Sequence, residues 1–267
     1  MARRWGVVLE DDVLVSPSGC VGFGRRGDDA VIVKIPKPDD DEANSAVALS
    51  HFAGNGAVRV LDHADGALLL ERARPGRPLT EPVTAARDDE ATAVVCDVAF
   101  ALHHPELPAD IAGRFPTIED WGRELLDYRD GAGAISAELV GRAIAVFEDL
   151  ARSQGPRRLL HGDLHHHNIL HDEARGWLAI DPKGVVGEPA YEIGAALRNP
   201  TSDPAMFAAP AIIARRIAIV SQRLDFNPDR VLRWAFAQAV LSAVWRIADG
   251  RDPLRGLATA NAILPML

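Results

Sequence analysis

Cysteine is nearly absent from the sequence, since Cys20 and Cys96 are the two cysteines among 267 residues. They lie far apart and outside any CxxC motif, which argues against a disulfide framework and against a cysteine zinc site. We therefore expect a reducing, cytoplasmic environment. The short apolar segment after Arg4 is broken by Glu10 and two aspartates before it reaches the length of a secretory signal, so we expect no export.

Long apolar runs are also lacking. The most apolar late segment, 234–245, is shorter than the ~20 residues that a membrane-spanning helix needs, and it has the composition of a core helix. Basic residues are fewer than acidic ones, 29 against 38, and the formal net charge is -9. This balance argues against nucleic-acid binding, which requires clustered Lys and Arg. It is compatible with a small cationic ligand, or with acidity that only maintains solubility. We expect no nucleic-acid, membrane or obligate protein partner.

The remaining composition is that of a folded globular protein, with 48% hydrophobic and 25% charged residues. Apolar patterning changes near residue 75. Before this point, short β-type runs separated by turn residues enclose one segment of helical period at 41–52. We predict a β-rich N-terminal lobe over 1–74. Its β-type runs are 13–15, 30–35, 57–61 and 67–71.

Beyond Pro75 the pattern becomes helical, and we predict a mostly α lobe over 75–267. One β-hairpin interrupts this lobe, with strands at 168–170 and 177–181 around the turn HDEARG. Helix starts are indicated by capping residues and by proline at the first helical position. The predicted helices are 85–103, one after Thr117, 139–150 after Ser136, and one from Asn227 to Gly250.

The two outer ends of this hairpin carry the densest polar chemistry. HGDLHHHNIL enters the first strand and puts Asp163 five positions before Asn168, while IDPKG places Asp181 at the exit. Phosphoryl transfer needs one carboxylate to orient the attacking hydroxyl, and oxygen ligands to hold Mg²⁺ against the phosphates. We predict that Asp163 is the catalytic carboxylate and that Asn168 and Asp181 are metal ligands. Asp and Asn are also ordinary turn residues, which is the alternative.

HGDLHHHN resembles the catalytic loop of kinase-like phosphotransferases, which is related to HRDLxxxN of protein kinases. IDPKG resembles their magnesium-binding DFG element, with Pro182 where Phe is usual. Together with GNGAVRVL, ALLLERARPG, WLAIDPKGVVGEPAYE and RVLRWAFAQAVLSAVW, these runs are similar to the aminoglycoside/hydroxyurea antibiotic-resistance kinase family over nearly the whole chain. The resemblance implies an α+β, bilobal protein-kinase-like fold with a nucleotide-binding N-terminal lobe and a catalytic, substrate-binding C-terminal lobe. It also implies ATP and Mg²⁺ as cofactors and a small cationic acceptor.

The resemblance extends to the phosphate end of the nucleotide site. Lys34, at the end of the strongest β-type run, resembles the lysine that contacts the nucleotide phosphates. Ser18 and Gly19 fall in the loop that would cover them. Ser45 stands where the helix glutamate that pairs with this lysine is usual, and Glu42, one turn earlier, is the candidate substitute.

ALLLERA resembles the hinge that binds adenine through backbone groups. This assigns the Glu71 carbonyl and the Ala73 amide, and it leaves their side chains with little role. An edge strand that leads into a linker is the alternative. Gly22, Gly24 and Gly27 also spell GxGxxG, but a strand follows them where dinucleotide binding requires a helix, so we predict a strand and a tight hairpin.

Several polar residues surround the predicted catalytic loop. Five of the nine histidines lie between 161 and 171, which raises a zinc hypothesis, but they fall on a turn and a strand rather than on one helical face. The resemblance explains His161 as a loop-packing residue, and His165 is expected to orient the loop or touch phosphate. Glu192 stands where related kinases often have an aspartate that braces the loop. Glu188 is either a contact for a substrate ammonium or guanidinium group or a solvated loop acid.

The function indicated by these features is ATP-dependent phosphorylation of an alcohol group on a streptomycin-like aminoglycoside. Because catalytic motifs do not specify the acceptor, a small-molecule kinase for hydroxyurea, an amino sugar or another metabolite is an alternative. A nucleotide-binding pseudokinase regulator is a second alternative, favoured by the missing glutamate at Ser45. The intact Asp163, Asn168 and Asp181 argue against it.

Overall fold

The computed structural model describes residues 1–16, 19–37, 44–81, 87–128, 133–200 and 208–267. The N-terminal part forms a five-stranded antiparallel sheet in the order β1-β2-β3-β5-β4. One helix, α1 (Ser45–Phe52), lies between β3 and β4 in sequence. The strands are β1 (Val8–Ser16), β2 (Gly19–Arg26), β3 (Asp29–Pro36), β4 (Val60–Ala64) and β5 (Ala67–Glu71).

The C-terminal part is mostly helical and contains two small antiparallel sheets. One sheet has the order β6-β8-β9 and the other pairs β7 with β10. The strands are β6 (Pro75–Pro78), β7 (Arg158–Leu160), β8 (Ile169–Asp172), β9 (Gly176–Ala179) and β10 (Val185–Gly187). The helices are α2 (Asp88–His103), α3 (Ala109–Ala112), α4 (Ile118–Asp127), α5 (Ala137–Arg152), α6 (Ile193–Leu197), α7 (Pro210–Leu224), α8 (Pro228–Ala248) and α9 (Leu254–Ile263).

Local sequence signals explain where several helices begin. The Thr117 hydroxyl accepts a hydrogen bond from the Asp120 amide at 3.1 Å, and the Asp120 carboxylate accepts one from the Thr117 amide at 2.8 Å. This reciprocal pair satisfies two amide groups that the first turn of α4 leaves without helical partners. Ser136 and Asn227 cap α5 and α8 with a single bond each, since their side chains accept from the amides of Leu139 and Arg230. The helix starts predicted after Thr117, Ser136 and Asn227 are confirmed.

Helix α8 forms the centre of the C-terminal core. Trp234 and Phe236 are fully buried, and α8 packs against α5, α6, α7 and α9. The segment 234–245 is thus part of a core helix, as predicted, because it is apolar on nearly every face. Within the described ranges of the chain, no helix is long and apolar enough to span a membrane.

Some sequence predictions needed correction. The run 57–61 does not form a strand from its start, because Ala57 pairs in a parallel bridge with Ala179 and β4 begins at Val60. Gly22 and Gly24 lie inside β2, which confirms the predicted strand in place of a dinucleotide-binding turn. Helix α7 was not predicted from the sequence, although Pro210 occupies its first turn. All five strands of the large sheet precede residue 75, and the lobe boundary at 74/75 stays a prediction.

Candidate active site

The loop between β7 and β8 carries Asp163 and Asn168. The Asn168 side-chain amide donates to the Asp163 main-chain carbonyl at 3.0 Å, which closes the loop over a short 3₁₀ turn. The Asp163 side chain is about one third exposed, with a relative accessibility of 32%. Its carboxylate is therefore open to a substrate while its backbone is held. Because the Asn168 amide nitrogen is engaged, its oxygen is the atom left to serve as a ligand.

His161 ties this loop to the far strand of the hairpin. Its ring is fully buried, and Nε2 lies 2.8 Å from the Ile180 carbonyl. A carbonyl can only accept, so Nε2 must donate, and Nδ1 accepts the Asp163 amide proton at 3.2 Å. The Ile180 amide in turn donates to the Asn168 carbonyl at 2.9 Å. These bonds fix the positions of the catalytic loop and of the residue before Asp181 together.

Glu192 holds the loop that carries Asp163 through hydrogen bonds to the backbone of that loop. Its carboxylate accepts the amide protons of His161 at 2.6 Å and of Gly162 at 3.0 Å, and the residue is only 2% exposed. A buried carboxylate that receives two backbone bonds replaces the water that these amides would otherwise need. Gly162 has φ +83°, and a Cβ there would lie 2.7 Å from Cη2 of Trp121. The loop thus requires glycine at this position.

Asp181 joins the hairpin to the N-terminal sheet. Its Oδ1 lies 2.9 Å from Nζ of Lys34, and the side chains are 36% and 5% exposed, respectively. Asp181 has φ +59°, a left-handed conformation that aspartate tolerates better than most residues. Ser45 is buried at the start of α1. Glu42, the proposed partner of Lys34, lies outside the described residues, as does Ser18.

Asn168 and Asp181 fit the requirements of Mg²⁺. This ion prefers oxygen ligands, keeps several waters, and is usually held by one or two carboxylates together with substrate phosphates. The two residues supply one amide oxygen and one carboxylate on adjacent strand ends. Across the described residues, no group of three His, Cys, Asp or Glu side chains is arranged to hold a metal ion.

Positive charge surrounds Asp163. Burial raises the pKa of its carboxyl group, but His165 and Lys183 outweigh this effect and lower the pKa below its usual range. Arg198 and His161 act in the same direction on the pKa of Asp163. Burial lowers the pKa of His165 to about 4, so at neutral pH the standing positive charge comes from Lys183 and Arg198. Asp163 is consequently ionised at neutral pH.

A cavity of about 310 Å³ lies between the N-terminal sheet and the hairpin. Lys34 and Asp181 line one part of it, and Glu71 and Ala73 line another. Its walls are largely apolar, as a planar aromatic base requires. Gly19 begins β2 opposite Pro36. Further lining residues are Leu14, Val21, Phe23, Ile32, Val58, Leu70, Arg72, Pro75, Gly76, Leu170 and Ile180.

The structure contradicts both interpretations of Glu188. The residue is 4% exposed, so it is not a solvated loop acid. Its carboxylate accepts hydrogen bonds from Nε of Arg230 at 2.7 Å, from the Gly155 amide at 3.1 Å and from the Trp234 indole. These contacts engage both carboxylate oxygens inside the C-terminal core, and burial keeps a substrate cation away from them. Glu188 is a structural residue that links α8 to the end of α5.

Other residues near the site were not identified from the sequence. Lys183 stands two positions after Asp181 in the IDPKG motif, and this proximity is a local signal that could have identified it. Its amide donates to the His161 carbonyl at 2.9 Å. Arg198 is buried and donates to the Gln238 side chain at 3.0 Å. Trp121, which packs against Gly162, lies more than forty residues earlier in the chain and gives no local signal.

Comparison with known proteins agrees with this geometry. A family model described as aminoglycoside/hydroxyurea antibiotic resistance kinase matches residues 4–250. The chain belongs to this family. Streptomycin 3''-kinase of Klebsiella pneumoniae is 35% identical, with 99% of this chain and 97% of the relative covered. Hydroxyurea phosphotransferase of Kitasatospora aureofaciens is 30% identical, with 98% and 76% covered.

Solved structures confirm the protein-kinase-like fold of this antibiotic-resistance kinase family member. An aminoglycoside phosphotransferase in ternary complex with ADP and hygromycin B matches with a TM-score of 0.67 and 14% identity, covering 98% of this chain and 96% of that one. An ethanolamine kinase from Plasmodium vivax matches with a TM-score of 0.66 and 12% identity, covering 97% and 82%. At such identities the likeness shows the fold alone.

We predict that Asp163→Asn in this kinase lowers turnover by ~10²–10⁴, the usual contribution of a general base. The amide keeps the size of the side chain but loses the charge that orients a hydroxyl proton. Steady-state kinetics with thermal unfolding and ATP binding as controls test this. Turnover close to that of the wild type would exclude Asp163 from the catalytic role.

Asp181→Ala is expected to shift the Mg²⁺ concentration needed for half-maximal activity upwards and to raise KM for ATP with it. The reason is that one carboxylate is assigned to the metal that bridges the phosphates. A Mg²⁺ titration at several ATP concentrations measures both quantities. If the Mg²⁺ dependence is unchanged, Asp181 is not a metal ligand.

Glu188→Gln is expected to lower the free energy of unfolding by about 2–3 kcal/mol, because the variant leaves Arg230 without a buried counter-charge. KM for the acceptor should stay the same. Chemical denaturation and acceptor kinetics are measured on the same preparation. An unaltered stability together with a raised acceptor KM would return Glu188 to the substrate site.

Proposed function

We propose that this protein transfers the γ-phosphate of ATP to a hydroxyl group of a small cationic acceptor of the streptomycin type, with Mg²⁺ held by Asn168 and Asp181. The observation that carries the proposal is the convergence of Asp163, Asn168 and Asp181 at one end of the β8–β9 hairpin. The activities named for the streptomycin kinases and the hydroxyurea phosphotransferase support it.

The catalytic contribution of this chain is mainly positioning. The ionised Asp163 carboxylate can accept a hydrogen bond from an acceptor hydroxyl and aim its oxygen at the phosphate. Because its pKa is lowered, Asp163 is a weak base, which suits a transition state in which little proton transfer precedes bond formation. Glu192 and His161 keep the loop in place, so the hydroxyl meets a fixed group.

The nucleotide side is assigned to the 310 Å³ cavity. Adenine would lie against its apolar walls near Glu71 and Ala73, and the phosphates would face Lys34. Bound Mg²⁺ would offset phosphate charge during transfer. Lys34 and Asp181 neutralise each other at 2.9 Å, so the buried ammonium group has a counter-charge.

Two tryptophans support a cationic acceptor. Trp121 packs against Gly162, the residue before Asp163, and its ring meets that of Trp245 edge to face at 5.5 Å and 90°. Both side chains are half-buried. An acceptor whose hydroxyl reaches Asp163 must extend over neighbouring surface, and an indole face attracts a guanidinium or ammonium group.

A phosphorylation screen with product mass spectrometry tests the function. The panel should contain streptomycin, other aminoglycosides, hydroxyurea and amino sugars, each with ATP and Mg²⁺. Phosphorylated streptomycin is the expected product. Turnover of hydroxyurea alone would support the neutral-acceptor alternative, and nucleotide binding without turnover across the panel would support a pseudokinase.

Trp245→Leu is predicted to raise KM for streptomycin about 3- to 10-fold, the size expected from losing a partly desolvated cation–π contact. KM for ATP should not change, and Trp245→Phe should have a smaller effect because it keeps an aromatic face. Trp177→Leu is the matched control, since that half-buried indole packs on His171 in the hairpin. Equal acceptor KM values for the Trp245 and Trp177 variants would contradict the aromatic contact.

A further inference from the structure

The turn of the β8–β9 hairpin reaches the N-terminal sheet through Arg175. One guanidinium nitrogen, Nη1, donates to the Glu71 carboxylate. The other, Nη2, donates to the carbonyl of Gly54 and to that of Ala57, the latter at 3.2 Å. The Arg175 side chain is 21% exposed and that of Glu71 is 20% exposed. A planar guanidinium that binds three acceptors in a mostly buried setting holds their relative positions firmly.

The receiving loop between α1 and β4 is shaped for this contact. Gly54 and Gly56 have φ +83° and +66°, and a Cβ on Gly56 would lie 2.9 Å from that of Ala101. The loop then continues into the hairpin, because the Ala179 amide donates to the Gly56 carbonyl at 2.7 Å and its carbonyl accepts from Val58 at 3.0 Å. The GNG sequence thus allows backbone from one lobe to extend the sheet of the other.

Glu71 is the adenine-side end of this network. It ends β5 and lines the nucleotide cavity, and its carboxylate also accepts the Arg59 amide proton at 2.9 Å. A second tie runs beside it, since Asp172 accepts the Arg74 amide proton at 2.9 Å through Oδ2. Oδ1 of Asp172 accepts the Arg175 amide proton, also at 2.9 Å. The segment 71–74 is therefore fastened to the hairpin turn at both of its ends.

The opposite end of the same hairpin carries the metal ligands. Ile169 pairs with Ala179, and the next residues along the two strands are Asn168 and Ile180, the neighbour of Asp181. The hairpin also pairs with β6 in a three-stranded sheet, which limits bending between its turn and its open end. A displacement at the turn is therefore expected to move Asn168 and Asp181, the proposed Mg²⁺ ligands, relative to the adenine cavity.

We propose that Arg175 is a positioning residue for the nucleotide. Through Glu71 and the loop carbonyls it sets the distance between the adenine cavity and the pair Asn168 and Asp181. This inference rests on the proposed nucleotide site but is independent of the acceptor. The Glu71 carboxylate thereby gains a role in binding Arg175, whereas the expected contact with adenine uses only the Glu71 backbone carbonyl.

The central test is Arg175→Met, which keeps the aliphatic stem and removes every hydrogen bond. We expect kcat/KM for ATP to fall ~10- to 100-fold, as for other misplacements of about 1 Å outside the chemistry. KM for the acceptor should remain within about twofold of the wild type, because the loop of Asp163 is bonded to the hairpin end and would move together with it. Arg175→Lys should recover part of the loss, since it keeps the charge facing Glu71 but not the fork to two carbonyls.

Arg59→Met is the matched control. Arg59 also faces Glu71, at 3.7 Å, but its side chain is 57% exposed, so its removal should leave ATP kinetics nearly unchanged. Glu71→Gln should reproduce part of the Arg175→Met effect. The double variant should be no worse than Arg175→Met alone, because the contact between Arg175 and Glu71 that Glu71→Gln weakens is already absent in Arg175→Met.

Equilibrium binding of Mg²⁺·AMP-PNP separates this inference from the proposed function, because it needs no acceptor. Weaker binding by Arg175→Met than by Arg59→Met supports the positioning role even if no acceptor is turned over. Equal binding by the two variants overturns it, as does an equal rise of ATP and acceptor KM, which would indicate general damage. If thermal unfolding shows that Arg175→Met does not fold, Arg175→Lys and Glu71→Gln are compared with Arg59→Met instead.

Discussion

The antiparallel pairing of β8 with β9 is the constraint on which the site depends. It places Asn168 and Asp181 at neighbouring strand ends, and His161 attaches the catalytic loop to the same end through the Ile180 carbonyl. The distal turn carries Arg175, whose guanidinium contacts the N-terminal part. In the proposed mechanism, this one short hairpin determines where the metal, the acceptor hydroxyl and the nucleotide meet.

The elements predicted best from sequence are those whose cause is local. The hairpin, the caps of α4, α5 and α8, and the grouping of Asp163 with Asn168 follow from period, turn chemistry and short spacing. The sequence could not reveal contacts between distant positions. Glu188 meets Arg230 42 positions away, a partner that its neighbours in sequence do not reveal. Arg175 meets Glu71 104 positions away, and only tertiary packing determines that pairing.

The positive charges around Asp163 have opposite effects on the ionisation of its carboxyl group and on the attraction of a cationic acceptor. Burial raises the pKa of the Asp163 carboxyl group, while His165, Lys183 and Arg198 together lower it below its usual range. Lys183 and Arg198 are also like charges for a cationic acceptor. A positively charged surrounding therefore protects the ionisation of Asp163 and weakens direct electrostatic attraction of the substrate.

In the proposed mechanism, a cationic acceptor is recognised by groups that bind cations without full negative charge. The edge-to-face pair of Trp121 and Trp245 has this property, because an indole face carries negative potential without a counter-ion that could bind Lys183 or Arg198. If the tryptophans make the acceptor contact, substitution there can change acceptor specificity while Asp163 and the β8–β9 hairpin stay the same.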